Sequence, residues 1–259
     1  MSRIVLAARA ALALALVASL GCASDRGPDG KTDKQRAEAR YDLGVENMTQ
    51  GQTALALRNF LAAEQLSPRD VRIQLALAEA YRQSGRLPDA EQHLRRAIEI
   101  DPSDEGAGLN LSALLIQAGK FDEAASIALK LADDPTFPAP WRALTNAGWA
   151  QLQLQRYPEA GRSFAAALEF KANYWPALLD LAILEERQGR AEKALAAFQK
   201  LLDLGPTPNI AAEAHFRMGE IYVQLGERDR AVEHLTAASE RRPGSEWGQR
   251  SEEVLKLLQ

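Results

Sequence analysis

The same residue types return every 34 residues through most of this chain, and that recurrence limits its fold more tightly than any single motif. One copy carries Leu43-Gly44, Gly51, Ala56, Phe60, Ala63 and Pro68; the next carries Leu77-Ala78, Tyr81, Gly85, Ala90, Leu94, Ala97 and Pro102. A third keeps Leu111, Gly119 and Ala124, then loses register near Pro135. After a short insertion the pattern resumes with Ala147-Gly148, Ala160, Phe164 and Ala167. It continues with Leu181-Ala182, Gly189, Ala194, Phe198 and Pro206, and ends with Met218-Gly219, Tyr222, Gly226, Ala231, Leu235, Ala238 and Pro243.

Each copy holds two apolar sets at helical spacing. A Gly separates the two sets in five copies, where a helix end needs a left-handed residue. A Pro follows the second set in four, near the start of the next helix, where its missing N–H costs little. Each copy therefore reads as a helix–turn–helix pair. Small residues (Gly44, Ala78, Gly148, Ala182 and Gly219 in the first helix) mark close helix approach, and large ones such as Phe60, Phe164 and Phe198 fill the gaps. One pair cannot bury its apolar face alone, so the copies must stack. Residues 246–259 read as one more amphipathic helix, with Trp247, Val254, Leu255 and Leu258 on one side and Glu252, Glu253 and Lys256 on the other, a terminal cap.

This pattern resembles the tetratricopeptide repeat. The resemblance implies an all-α, right-handed superhelical solenoid of six helix–turn–helix repeats over residues 37–245, plus the capping helix, forming one domain.

At the N-terminus, Arg3 and Arg9 precede the uncharged apolar run Ala11–Leu20 and then Gly21-Cys22. A short apolar segment behind basic residues reads as a signal peptide, residues 1–21, too short to span a bilayer. Ser19-Leu20-Gly21-Cys22 resembles a bacterial lipobox, which implies lipidation of Cys22, the one cysteine of the chain. Cleavage nearby without acylation is the alternative. Ala23 rather than Asp follows the cysteine, which by the same resemblance implies the outer membrane, on its periplasmic face. Residues 22–36, polar and without periodicity, read as the lipidated Cys and a flexible tether.

Composition excludes several classes of function. The formal charge is −4, and loss of Arg3 and Arg9 with the signal takes it to about −6, so no basic stripe suggests nucleic acid. The three histidines show no short metal-site spacing: His93 and His234 occupy equivalent places four periods apart, and His215 lies elsewhere. No metal site or cofactor is expected. An acylated Cys22 offers no nucleophile, and adjacent carboxylates such as Glu185-Glu186 and Glu252-Glu253 point apart on a helix. Neither a catalytic residue nor a small-molecule substrate is indicated, so the expected protein is not an enzyme.

Function should then lie in protein binding. In tetratricopeptide arrays the groove is lined by the first helix of each pair. Carried onto this chain, those places are Tyr41, Val45 and Met48; Leu75, Glu79 and Arg82; Leu109, Ala113 and Ile116. Thr145, Trp149 and Leu152; Leu179, Ile183 and Glu186; and Phe216, Glu220 and Val223 complete the set. The expected binding groove, mostly apolar from the third repeat to the fifth, comprises Leu109, Ala113, Ile116, Trp149, Leu152, Leu179, Ile183 and Phe216. Some of these side chains alternatively pack against neighbouring helices. Arrays that clamp a terminal carboxylate use Lys and Asn where this chain has Tyr41 and Val45, which argues against that role.

The combination resembles the type IV pilus pilotins (the PilF/PilW/Tgl group), most closely from the third repeat to the fifth. The matching residues are Asn110, then Asp134-Pro135, Pro140, Ala143, Asn146 and Gly148, with the runs 164–168 and 176–182 beyond. The cysteine pair that some members carry near the third repeat is missing here. The resemblance implies a lipid-anchored adaptor whose groove grips the outer-membrane secretin subunit and promotes its insertion and multimerisation. A general cell-envelope adaptor, serving outer-membrane barrel assembly or recruiting peptidoglycan enzymes, is the alternative.

Overall fold

The computed structural model describes residues 31–258. The signal peptide, Cys22 and most of the tether lie outside them. The chain divides into two compact units at Ile100–Asp101, as a stack whose pairs touch only their neighbours readily does.

The first unit holds α1 (Asp33–Thr49), α2 (Thr53–Leu66), α3 (Val71–Gln83) and α4 (Leu87–Ile100). The second holds α5 (Glu105–Gln117), α6 (Phe121–Ala132), α7 (Pro140–Gln153), α8 (Tyr157–Phe170), α9 (Trp175–Arg187), α10 (Ala191–Asp203), α11 (Pro208–Gln224), α12 (Arg228–Arg241) and α13 (Glu246–Leu257). The fold is thus the expected all-α solenoid of six helix–turn–helix pairs and a terminal helix. One local difference lies at its start. Residues 33–36, read as tether, are the first turn of α1, because Thr32 and Gln35 form a reciprocal capping box with bonds of 3.3 and 3.0 Å.

All six intra-pair turns close identically. At each, a left-handed residue donates its N–H to the carbonyl three residues back, and the next N–H reaches back five. Five of these residues are Gly51, Gly85, Gly119, Gly189 and Gly226. In the fourth pair Gln155 takes the same conformation, φ 59°, with Gln155 N–H to Leu152 O at 3.0 Å and Arg156 N–H to Gln151 O at 2.9 Å.

The small residues do sit where the paired helices touch. A β-carbon at Gly44 would fall 2.3 Å from the Phe60 ring, and one at Gly219 would fall 2.7 Å from Leu235. In the second unit the main core joins Leu152, Phe164, Leu178, Leu184, Phe198 and Met218. The cap α13 lays Trp247, Val254, Leu255 and Leu258 on Phe216, Leu235 and Ala238. Ser245 caps that helix by accepting from the Gly248 N–H at 3.1 Å.

The insertion between α6 and α7 has structure of its own. Asp134 accepts from the N–H and hydroxyl of Thr136 at 2.8 and 2.6 Å, and the turn drops Phe137 into a small core with Leu109 and Ala143. In a chain without the cysteine pair, this ring ties the loop down.

Candidate functional site

Within the second unit the first helices of successive pairs touch one another: α5 meets α7, α7 meets α9, and α11 meets the cap α13. Polar links join the row. Asn146 on α7 donates to Ser112 Oγ on α5 at 2.8 Å, and Arg217 on α11 donates to Glu186 on α9 at 3.0 Å while also holding Glu213 at 2.9 Å. In the first unit Arg72 on α3 grips both carboxylate oxygens of Glu38 on α1, at 3.1 and 2.8 Å.

Five of the eight expected groove residues are packed inside this row. Leu109, Leu152, Leu179, Ile183 and Phe216 are each at most 8% exposed. Leu109 packs on Phe137 and Ala143, the next three belong to the main core, and Phe216 lies against Leu235 under the cap. Ala113 is exposed, and Ile116 and Trp149 are half-buried. Of the remaining first-helix places, Thr145 is buried with its hydroxyl donated to Trp141 O at 2.7 Å; Tyr41, Met48, Leu75, Glu79, Glu186 and Glu220 are half-buried; Val45, Arg82 and Val223 are exposed.

The accessible part of the row is therefore less apolar than expected. A first helix in a stack is covered on two sides, so most of its large apolar residues are spent on packing. Of the eight expected residues only Ala113, Ile116 and Trp149 reach solvent, and Asn110, Asn146 and Arg187 on the same three helices are accessible beside them. Arg187 extends over the Trp149 ring, 6.0 Å from its centroid. Burial, and then the neighbouring Glu213, push the Asp180 carboxyl well above the usual carboxylate range, with Arg217 opposing. Burial likewise raises Glu220. Asn110 and Arg217 each follow a buried member of the expected set, Leu109 and Phe216. That adjacent polar residue is the sequence signal for the open side, one position off the register expected.

Space also brings together two histidines that sequence spacing separated. His215 on α11 and His234 on α12 face each other with Nδ1 atoms 3.0 Å apart, and Tyr222 stacks on His234. The second pair has the same arrangement, with Gln74 Oε1 2.7 Å from His93 Nδ1 and Tyr81 stacked on that ring. His93 and His234 thus play equivalent packing roles, and His215 takes the place of Gln74. The Nε2 of His215 is buried without a partner, so the bond is best satisfied with His215 donating from Nδ1. Burial, then His234, lowers the His215 pKa to about 4, and burial also lowers His234 and His93. Among the described residues no group of three or more metal-capable side chains gathers.

Comparison with known proteins agrees with this architecture. Residues 35–105, 83–147 and 176–243 match the tetratricopeptide repeat. The chain is 28% identical to the type IV pilus assembly protein PilF of Pseudomonas aeruginosa over 182 residues, 68% of this chain and 72% of that protein. The crystal structure of PilW, a type IV pilus biogenesis factor, superposes with a TM-score of 0.73 at 22% identity, covering 85% of this chain and 98% of PilW. The Pseudomonas aeruginosa PilF structure gives 0.67 at 20% identity, over 86% and 100%. Among the described residues no helix is long and apolar enough to cross a membrane.

Proposed function

From a chain that belongs to the tetratricopeptide-repeat family and is related within it to the pilus proteins PilF and PilW, we infer a non-enzymatic pilotin of type IV pilus biogenesis. Anchored by lipid on Cys22 at the periplasmic face of the outer membrane, it binds the secretin subunit and promotes its localisation and assembly into multimers. The observation that carries this reading is the sequence relation to PilF across 68% of the chain.

Contact with the secretin falls to the open part of the first-helix row. Ala113, Ile116 and Trp149 supply a strip for an apolar segment of the partner, and Arg187 borders it. The buried members, Leu109, Leu152, Leu179, Ile183 and Phe216, hold that surface in shape instead of touching the partner. A half-buried Trp beside an Arg is the composition that interface hot spots favour.

The test is an immunoblot for heat-resistant secretin multimers in cells lacking this protein, complemented with the wild-type chain or with Cys22→Ala. Multimers lost in the deletion and restored by the wild type support the reading, and the Cys22→Ala lane reports on the anchor. Normal multimers in the deletion would overturn it in favour of a general envelope adaptor.

A further inference from the structure

The first helix pair exposes an apolar position on α1 that is buried in four of the five later pairs and half-buried in the other. Leu43 on α1 is 46% exposed, whereas its equivalents Leu77, Ala147 and Met218 are at most 2% exposed. Arg40, one turn earlier, donates to Asn59 Oδ1 on α2 at 3.2 Å, and Leu55, one turn before Asn59, is also 46% exposed. The two leucines therefore flank one hydrogen bond on one side of the pair. Beside them runs a groove of about 510 Å³ lined by Arg36, Ala39, Arg40, Leu43, Ala62 and Leu66. Arg36 pairs with Asp33 through its Nη2, yet its Nε is buried with no acceptor. The face thus combines the apolar side chains of Leu43 and Leu55 with the guanidinium groups of Arg36 and Arg40.

What covers it is constrained by the chain itself. Lys31 lines the edge of the groove, and only nine Cα–Cα steps separate it from Cys22. At full extension that distance is about 30 Å, so a lipid on Cys22 keeps this face close to the bilayer. We propose that the open face of the first pair is a docking surface for the membrane, with Leu43 and Leu55 entering the interface and Arg36 and Arg40 taking the phosphates of anionic phospholipids. This rests on the lipid-anchor reading above. Apolar insertion joined to attraction for anionic headgroups is the usual chemistry of interfacial binding, and a second contact turns a single-point anchor into a fixed orientation.

The test uses the purified full-length mature chain carrying Leu43→Cys, labelled with a polarity-sensitive nitrobenzoxadiazole probe, and a Gln92→Cys control on α4. Both are added to vesicles of phosphatidylethanolamine with phosphatidylglycerol, or of phosphatidylcholine alone, containing spin-labelled lipid. The proposal expects blue-shifted emission and quenching at position 43 in the anionic vesicles only, none at 92, and a return to the control level in Arg36→Gln/Arg40→Gln or in high salt. Emission at 43 that stays water-like in anionic vesicles overturns it. So does a shift that grows with protein concentration in the absence of vesicles, which would assign the face to a second copy. The mass of the N-terminal peptide from the same sample reports acylation of Cys22, so failure of the anchor and failure of docking are separate results.

Discussion

A β-carbon placed on Gly148 would lie 2.5 Å from Cε1 of Phe164, a ring with no exposed surface. The helices α7 and α8 approach as closely as they do because position 148 has no side chain. Gly148→Ala should therefore destabilise the protein by about 1–2 kcal/mol, since overpacking at about 1–3 kcal/mol outweighs the helix preference of Ala over Gly, about 1 kcal/mol. Urea unfolding checks this, and adding Phe164→Leu should recover part of the loss.

Gln155 holds at φ 59° a turn that glycine holds in the other five pairs. A left-handed conformation costs a residue with a Cβ roughly 1–2 kcal/mol. Gln155→Gly should raise stability by about 1 kcal/mol, seen as a higher denaturation midpoint with an unchanged slope. A lower midpoint would show that the turn carries no such strain.

The His215–His234 pair makes the sixth repeat sensitive to acid. Both pKa values are depressed in the fold, His215 to about 4, so the unfolded chain binds more protons once the pH drops below about 6.5. The stability linked to these groups is complete above that pH and is lost as the pH falls from about 6.5 to about 4. His215→Gln rebuilds the Gln–His contact of the second pair and should flatten this slope, measured as unfolding free energy against pH.

Asp180 has the opposite sign. Its carboxyl is raised in the fold, so burying it costs stability wherever the unfolded carboxyl is ionised, a burden that vanishes once the unfolded carboxyl is also protonated. Asp180→Asn should be more stable than the wild type at pH 7 and no more stable near pH 3. Equal midpoints at pH 7 would place that carboxyl in water.

Trp149→Ala combined with Arg187→Gln should reduce secretin binding at least tenfold in a pull-down or by interferometry, with circular dichroism unchanged. Leu179→Ala is no substitute for either change. At 8% exposed and inside the main core, Leu179 should cost about 2–5 kcal/mol on truncation, so any lost binding would report unfolding.

Much of this architecture is written in the sequence, because a period forces every copy to repeat the same solution. Gly44 and Gly219 against Phe60 and Leu235, and five glycine turns, follow from offset alone. The open side of the first helices does not. These helices are covered by neighbours on two flanks, so Leu152 and Leu179 look no different in sequence from Ile116, although only the last reaches solvent. The meeting of His215 with His234 is legible only by placing Gln74 beside His93 first and carrying that pairing forward by whole periods. Phe137 falls in the insertion, where the repeat says nothing and only local turn chemistry and one aromatic decide the structure.

That loop also bears on how such a chain changes over generations. Its two extra residues stretch the step from Gly119 to Gln155 beyond one period, yet both turns close alike on either side. The molecule has therefore separated length from register here, as it does again between Gly189 and Gly226, and in this loop Phe137 is the plug that makes the excess harmless. Lineages of this protein should accumulate insertions and deletions between Asp133 and Pro138 while the links that keep the 34-residue step stay fixed, and they should keep a bulky apolar residue there through every such change.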